Sequence, residues 1–538
     1  MDSDVLVVGA GPTGLTAAIE LVRRGVDTRL VDRAQHRSPH AKAVVLWPRA
    51  LEVLARLGAE ERIRALAVPI TAGNYHAHGR RVARINYRGL MGSRFGTPLS
   101  LPQNLTEEVL RDLLAELGGE VEYGHTLETL EQSDAEVVAS LSGRQHRARW
   151  VLGCDGAHSS VRSAVDIPFS GSTYAQSFGL VDGHWDTPLP HSESHYFMGS
   201  TGVLVVVGLP GGRFRAFAST PDGTAEEDVA GLVAHLAEER CPVPLRLQEA
   251  TGSGLFRIHR RIADRLRSGR VLLAGDAAHV HSPAGGQGLN TSIQDAHELA
   301  WRLSGVLRGA LDLAQLDAWE RERLHVARAV VADTDSQTRL WTLGGWRSHT
   351  RDLVAKAAEV TGVLDRSLPP RQAQLTLAYP ADGPALGRLA PGTRLPDIPL
   401  PTGGLLHDLL RAGRHLLLVR PDDQDPAGFP GPDWIDSRHA QVVQPDRPDS
   451  VEGPADSADT TASGPETVAP AAGPLVLLLG SDDLGRATRR ALGLRSPGVV
   501  LVRPDGVVAV AGRLSDRSLL RRVGAALPEH VRPRATLA

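Results

Sequence analysis

The stretch from Val5 to Asp32 permits few folds. Val5-Leu6-Val7-Val8 is an apolar run that reads as a buried strand, and Gly9-Ala10-Gly11-Pro12-Thr13-Gly14 is a glycine turn. Leu15 to Arg24 has a helical pattern closed by Gly25, and Thr28 to Val31 is a second strand that ends at the acid Asp32. Strand, glycine turn, helix, strand and acid together make a dinucleotide-binding unit. Gly9 permits the tight turn, Gly11 lets backbone approach a pyrophosphate, and Gly14 lets helix and strand pack closely. Asp32 lies 21 residues past Gly11, where a carboxylate reaches an adenosine ribose. Pro12 and Thr13 inside the turn, and Arg33 beside the acid, complete this candidate cofactor set. The unit alone does not separate NAD from FAD.

A second stretch, Gly269 to Leu303, repeats the theme. Val271 to Ala274 predicts a strand, Gly275-Asp276 ends it, and a turn with Pro283, Gly285, Gly286 and Gly288 leads to a long helix near Leu289. A third strand, Arg147 to Leu152, delivers Gly153-Cys154-Asp155-Gly156, with Arg162 just beyond. A dehydrogenase that binds only NAD has no need of a second strand-end acid before a helix. A dinucleotide with a polyhydroxyl chain and a large ring does. Asp276 is then expected to accept from ribityl hydroxyls. The amides at Gly288-Leu289-Asn290 face the developing negative charge of a reduced flavin. Pro283 walls the ring, and the glycine turn through Gly286 tolerates movement. Asp155 holds its loop or accepts from a hydroxyl, while Arg162 handles anions. Lys42 and Arg49 are expected beside phosphate, and Gln103, just before a helix, is an amide able to reach the flavin or ribityl chain.

The remaining chain bounds the answer. At 538 residues it needs two or three domains. A formal charge of -3 gives no electrostatic case for nucleic acid or an anionic membrane. No apolar run approaches a membrane span, and no basic leader precedes the first strand, so a cytoplasmic protein is expected. Two cysteines, Cys154 and Cys241, make neither a disulfide framework nor a thiolate zinc site; Cys154 reads as a small buried side chain. The fold class expected is α/β: a Rossmann-like FAD-binding domain, a mixed-sheet substrate domain and a C-terminal α/β domain. Residues 1–170 form the first part of the cofactor domain, with a small strand-rich excursion at 70–100. Residues 171–265 form the substrate sheet, with Phe178, Tyr196, Phe197, Met198, Phe214 and Phe217 as core or pocket positions. Residues 266–380 return to the cofactor domain and end in long helices, where Trp319 to Arg323 reads as a solvated face. Residues 391–538 form the last domain. Its insert 446–474 holds six acids and one arginine and is expected to be disordered. No catalytic base is named. His279 and His281 flank the turn and read first as loop packing, and Tyr75, Tyr87, Tyr196 and Arg94 are unranked pocket positions.

With VVGAGPTG, GCDGAHSSVR and LLAGDAAHVHSPAGGQGLNTSIQDAHELAWRL in view, residues 1 to about 380 resemble the class A FAD-dependent aromatic hydroxylases, the single-component group that includes p-hydroxybenzoate hydroxylase. The nearer resemblance is to actinobacterial aromatic polyketide and phenol hydroxylases, whose C-terminal domain is thioredoxin-like. Residues 391–538 look like that domain but contain no cysteine, which excludes dithiol chemistry. The resemblance implies FAD contacts at Gly9, Gly11, Gly14, Asp32, Gln103, Asp155 and Asp276, and places Arg162 in a segment tied to pyrophosphate and NADPH. Lys42 stands where many relatives carry arginine, and Arg49 keeps its counterpart. It also implies hydroxylation of a phenolic or aromatic polyketide substrate with NADPH and O2 through a flavin C4a-hydroperoxide, by a monomer or homodimer. Baeyer–Villiger insertion, epoxidation, an FAD reductase without oxygenation and a non-catalytic flavoprotein are the rival readings.

Overall fold

The computed structural model describes residues 1–38, 42–199, 202–221, 224, 228–341, 343, 346–400, 403–422, 441–443, 474–479 and 483–528. The acidic insert expected at 446–474 therefore lies, save its last residue, outside the described residues.

β1 (Ser3–Val8), α1 (Pro12–Arg23) and β2 (Thr28–Asp32) form where the sequence places them. Proline at the first helical position has no N–H to waste and a backbone angle already suited to the helix. Gly25, at φ +68°, takes the left-handed conformation that ends it. β1 is apolar on both faces because it lies inside a parallel sheet covered on both sides. That sheet runs Val271–Leu273, Arg144–Gly153, β1, β2, Val121–Tyr123, all parallel. Arg267–Ser268 closes one edge, and Val137–Leu141 and Leu127–Gln132 add an antiparallel extension. α1 packs against both Gln103–Glu116 and Gly288–Leu307.

The second sheet has eight strands and is larger than its sequence signals suggested. Phe169–Asp186 and Arg246–Ala263 are 18 residues each and pair along their lengths. The expected excursion at 70–100 is not a separate appendage. Ala72–Ala77 pairs in parallel with Glu193–Gly199 and antiparallel with Arg80–Asn86, so both strands extend the substrate sheet. The helix Val229–Arg240 covers one face of this sheet, over Val181, Phe197, Leu204, Phe214 and Ala216.

The C-terminal sheet runs Gln441–Val443, Leu475–Leu478, Leu416–Arg420, Gly498–Val502, Val508–Arg513. Its first three strands are parallel and the last two antiparallel. Buried ionic contacts fasten it to the cofactor domain. The Asp505 carbonyl accepts from Arg49 (2.9 Å) and Arg56 (2.7 Å), and the Asp505 carboxylate accepts from Trp301 Nε1 (3.1 Å) and Arg503. Arg394 pairs with Glu52, and Arg94 with Glu60, Asp397 and Asp408. Among the described residues no helix is long and apolar enough to cross a membrane.

Candidate active site

Three neighbouring parallel strands end together, and their carboxyl ends make the site. Gly9, Cys154 and Ala274 follow β1, Arg144–Gly153 and Val271–Leu273, and bonds from Cys154 N to Val8 O (2.8 Å) and Ala274 N to Gly153 O (3.0 Å) hold them in line. Ligands in open α/β sheets bind at this edge.

The three glycines of the turn are required for different reasons. A side chain on Gly9, at φ +103°, would lie 2.4 Å from Cys154 O, and one on Gly14 would lie 1.8 Å from Gly9 O. Both are excluded by protein. A Cβ on Gly11 meets no atom within 4 Å, at an ordinary φ of -73°. Nothing in the protein demands glycine there, so the position is kept clear for something that approaches the backbone. Leu15 N is the first amide of α1 to bond back, to Gly11 O at 3.0 Å, and no side chain caps the helix. The amides of Thr13 and Gly14 thus have no acceptor among the described residues, a cradle suited to phosphate.

Asp32 accepts from Ala10 N (2.7 Å) and Ala34 N (2.8 Å), one bond to each oxygen, which aims the carboxylate at the turn and leaves lone pairs on both. Arg33 beside it is exposed. Gly275, at φ +63°, packs against Thr13, where a Cβ would lie 2.5 Å from Oγ1. This contact joins the first and second glycine motifs. The Asp276 side chain opens to solvent although protein surrounds it. Burial raises its carboxyl above the usual range, against the opposing charges of His279 and Lys42. Lys42 therefore sits within electrostatic reach of Asp276, with its own carbonyl held by Arg215 (2.8 Å).

The helix Gly288–Leu307 also begins without a side-chain cap. Thr291 N bonds Gln287 O at 3.0 Å, while the amides of Gly288, Leu289 and Asn290 have no acceptor among the described residues. The turn before it carries Gly285 and Gly286 at φ +72° and +63°, and the Pro283 ring is exposed. The uncapped amides, the clear approach at Gly11 and the solvent-facing Asp276 fit a dinucleotide laid from one helix start to the other.

Five of the expected contact residues have their side chains bonded within the protein. Arg49 is not at the site: it is 4% exposed and bonds Glu52 and the Asp505 carbonyl. Arg162 ties Ala277 O and Ala157 O, each at 2.9 Å, and stacks on Phe169, so it braces the Asp276 turn rather than presenting a free guanidinium. Asp155 accepts from Ser159, Ser160 and Val161 and so holds its loop. The Asn290 side chain accepts from Trp47 N (2.6 Å) and donates to Val45 O (2.8 Å) and Gly286 O (2.7 Å); only its main-chain N–H is left for a ligand. Gln103 accepts from Ala43 N and donates to Glu107, clasping the segment that carries Lys42. Burial and Asp155 push the Cys154 thiol far up, which removes it as a nucleophile.

The sequence reading missed Trp47 and Asp295. Trp47 Nε1 donates to Gly285 O (2.7 Å) and pins the glycine turn. Asp295 accepts from Gly275 N (3.1 Å), His279 Nε2 (2.7 Å) and Arg323 Nε (2.6 Å), and Arg323 holds its carboxyl below the usual range despite burial. This fixes His279 as a loop anchor. The signal was available: Thr291, Ser292, Gln294, Asp295, His297 and Glu298 form a polar run in a helix that carries apolar residues on all sides.

The other wall is aromatic. Phe178 stacks on Phe217 (5.0 Å) and Phe217 on Phe256 (5.5 Å); Tyr75 stacks on Tyr196 (4.7 Å), which meets Trp341 (5.2 Å). Ala284 of the glycine turn belongs to this cluster. Strand alternation thus sends Phe178, Tyr196, Met198 and Phe217 toward the turn, and Phe197 and Phe214 toward the covering helix. Tyr87 is core, bonded to Gln372, and Arg94 lies in the ionic contact with the C-terminal domain.

Residues 2–334 match the FAD binding domain family. The chain belongs to that family. It is 33% identical over 455 residues, covering 79% of this chain and 86% of the relative, to a 12-dehydrotetracycline 5-monooxygenase/anhydrotetracycline 6-monooxygenase of Streptomyces rimosus. A 6-methylpretetramide 4-monooxygenase of Streptomyces rimosus is 34% identical over 368 residues, 67% of this chain and 64% of that relative's length. The solved structure of OxyS anhydrotetracycline hydroxylase from Streptomyces rimosus superposes with a TM-score of 0.74 at 28% identity, covering 97% of this chain and 98% of that one. Its relatives are flavin-dependent monooxygenases, and FAD is the cofactor of the fold.

Proposed function

We propose that this protein is an NADPH-dependent FAD monooxygenase that hydroxylates a phenolic, polycyclic aromatic substrate. The observation that carries the reading is the aromatic face of the second sheet closing on the turn Pro283–Gly286, beside a helix start with free amides. The kinship with tetracycline-type monooxygenases supports the same substrate class.

In this reading the amides of Thr13 and Gly14 hold the FAD pyrophosphate, with Gly11 giving clearance. Asp32, flanked by Arg33, binds the adenosine ribose, and Asp276 accepts from the ribityl hydroxyls with Lys42 balancing its charge. The amides of Gly288, Leu289 and Asn290 meet the pyrimidine end of the ring, where charge develops on reduction, and Pro283 forms its wall. Bound FAD supplies the redox chemistry, accepting hydride from NADPH and passing oxygen from O2 to the substrate. The chain's own work is to orient the substrate ring on Tyr75, Tyr196, Phe217 and Phe256 and to keep water from the reacting atoms. The C-terminal domain, which we read as thioredoxin-like, buttresses the cofactor domain through Asp505. The test is NADPH oxidation by the purified yellow protein with a panel of anthraquinone and naphthacene phenols. Stimulation by at least one polycyclic phenol supports the reading; a protein that holds no FAD, or is indifferent to all of them, overturns it.

A further inference from the structure

Among the described residues, four other than glycine have positive φ: His78, Ser142, Asp166 and Gln374. The first three are exposed. Gln374, at φ +57°, is 2% exposed. Left-handed backbone suits glycine, and after it Asn, Asp and His, so the backbone gives no reason for glutamine at this position. The side chain does.

Gln374 follows the helix Val363–Gln372, and its carboxamide enters a buried cluster with Gln287, Thr291 and Gln294. The orientation of each amide is fixed by the one before it. Gly285 O and Gln372 O can only accept, so they take the Gln287 NH2, at 3.3 and 3.0 Å. Gln287 Oε1 then faces Gln374 and accepts from its NH2 at 2.6 Å, and the same nitrogen donates to Thr291 Oγ1 at 3.0 Å. Gln374 Oε1 is left to accept from the Gln294 NH2, which also donates to Asn290 O at 2.9 Å. No amide hydrogen of the three glutamines is spare, and a buried network satisfied in this way holds one arrangement.

That arrangement fixes the start of the helix Gly288–Leu307. Gln287 is the residue before it, and Thr291 and Gln294 lie in its first two turns, on one face. Ahead of Gln287, Gly285 and Gly286 sit at φ +72° and +63°, in backbone free to move were it not tied. Gly285 O is held from one side by Trp47 and from the other by Gln287. The amides of Gly288, Leu289 and Asn290, without acceptors among the described residues, therefore take their position from Gln287 and, through it, from Gln374. Apolar side chains on ordinary backbone would pack this joint at less cost. A non-glycine residue in left-handed backbone persists only where its surroundings over-determine it.

We propose that Gln374 is a positioning residue for flavin reduction: its carboxamide locks Gln287 and Thr291, and so keeps the three free amides where negative charge develops. This rests on the reading that the pyrimidine end of FAD meets those amides. Loosening them weakens the hold on reduced flavin more than on oxidised, because the charge is present only after reduction.

The test is the two-electron midpoint potential of the bound flavin, measured by dye equilibration, with the FAD affinity of the oxidised protein beside it. Gln374→Gly suits the left-handed backbone and removes the carboxamide. It is expected to weaken binding of reduced flavin about tenfold relative to oxidised, which lowers the midpoint potential by about 30 mV. Gln374→Met keeps the length without the hydrogen bonds; it serves if the glycine variant fails to fold, and should move the potential in the same direction. A potential equal to or above that of the wild type, whatever the melting temperature, overturns the role of Gln374 and marks it as structural only. A wild-type protein that binds no FAD overturns the reading of the site itself.

Discussion

Asp295 is the side chain on which the geometry of Asp276 depends, and its replacement gives a quantitative prediction. One oxygen takes the Gly275 amide and His279, the other takes Arg323, and all are buried, with Asp295 at 1% exposure. Asp295→Asn keeps the shape but removes the charge and turns an acceptor into an NH2 donor. Whichever way the amide is flipped, that NH2 faces either Arg323 or the Gly275 N–H, so one donor loses its partner. Arg323 retains Glu298 and Tyr379 but loses its closest anion. Removing one partner of a buried pair costs about 3–5 kcal/mol, a large share of the roughly 5–15 kcal/mol that holds a domain folded. Gly275 carries Asp276 on the next peptide bond, so FAD affinity should fall with stability, by at least about tenfold for a loss of 1.4 kcal/mol in binding. Urea unfolding followed by tryptophan fluorescence, with FAD titration by flavin fluorescence quenching, reads both. A variant with wild-type midpoint and wild-type FAD affinity would show that Asp295 holds neither the fold nor the Asp276 turn.

Gly11→Ala should leave apo-protein stability unchanged or raise it by up to about 1 kcal/mol while abolishing FAD retention, whereas Gly14→Ala should unfold or strongly destabilise the chain; equal effects at both sites would contradict the distinction drawn between them. Asp505→Ala should loosen the C-terminal domain at a cost of about 3–5 kcal/mol, because Arg503 and Trp301 lose a buried carboxylate; limited proteolysis that cuts variant and wild type alike counts against it. Burial depresses His195, His281 and His415 to about 4. Their folded values lie below the unfolded value of about 6.5, so the unfolded state binds the extra protons between those limits. Stability is therefore full above about pH 6.5 and is lost as pH falls toward 4; a melting temperature flat from neutral pH to the acid end of that window would rule this out.

The parts of the protein legible from sequence are those where one short segment carries its own reason. The turn Gly9–Gly14, the strand-end acids and the glycine turn before Gly288 were readable because spacing alone aligns them with backbone that must approach a ligand. The fold around them was readable for the same reason. What stayed hidden depends on partners distant in the chain. Arg49 looks like a phosphate ligand until Asp505 arrives from the C-terminal domain. Trp319 and Arg323 look like part of a solvated face, yet both are fully buried, because Asp295 and Glu298 on the preceding helix supply the counter-charge. The strand Arg246–Ala263 escaped notice because much of it is exposed and polar, without the alternation that marks a half-buried strand. The pairing of Ala72–Ala77 with Glu193–Gly199 joins segments that no local pattern connects.

Oxygen transfer from O2 to an aromatic ring, with FAD bound, can be followed with 18O2. The FAD-loaded protein is supplied with NADPH and a polycyclic phenol that stimulates NADPH oxidation, and the product is weighed by mass spectrometry. The expected product carries one 18O as a ring hydroxyl. NADPH consumption with all the label recovered in hydrogen peroxide, and none in the aromatic product, would contradict it.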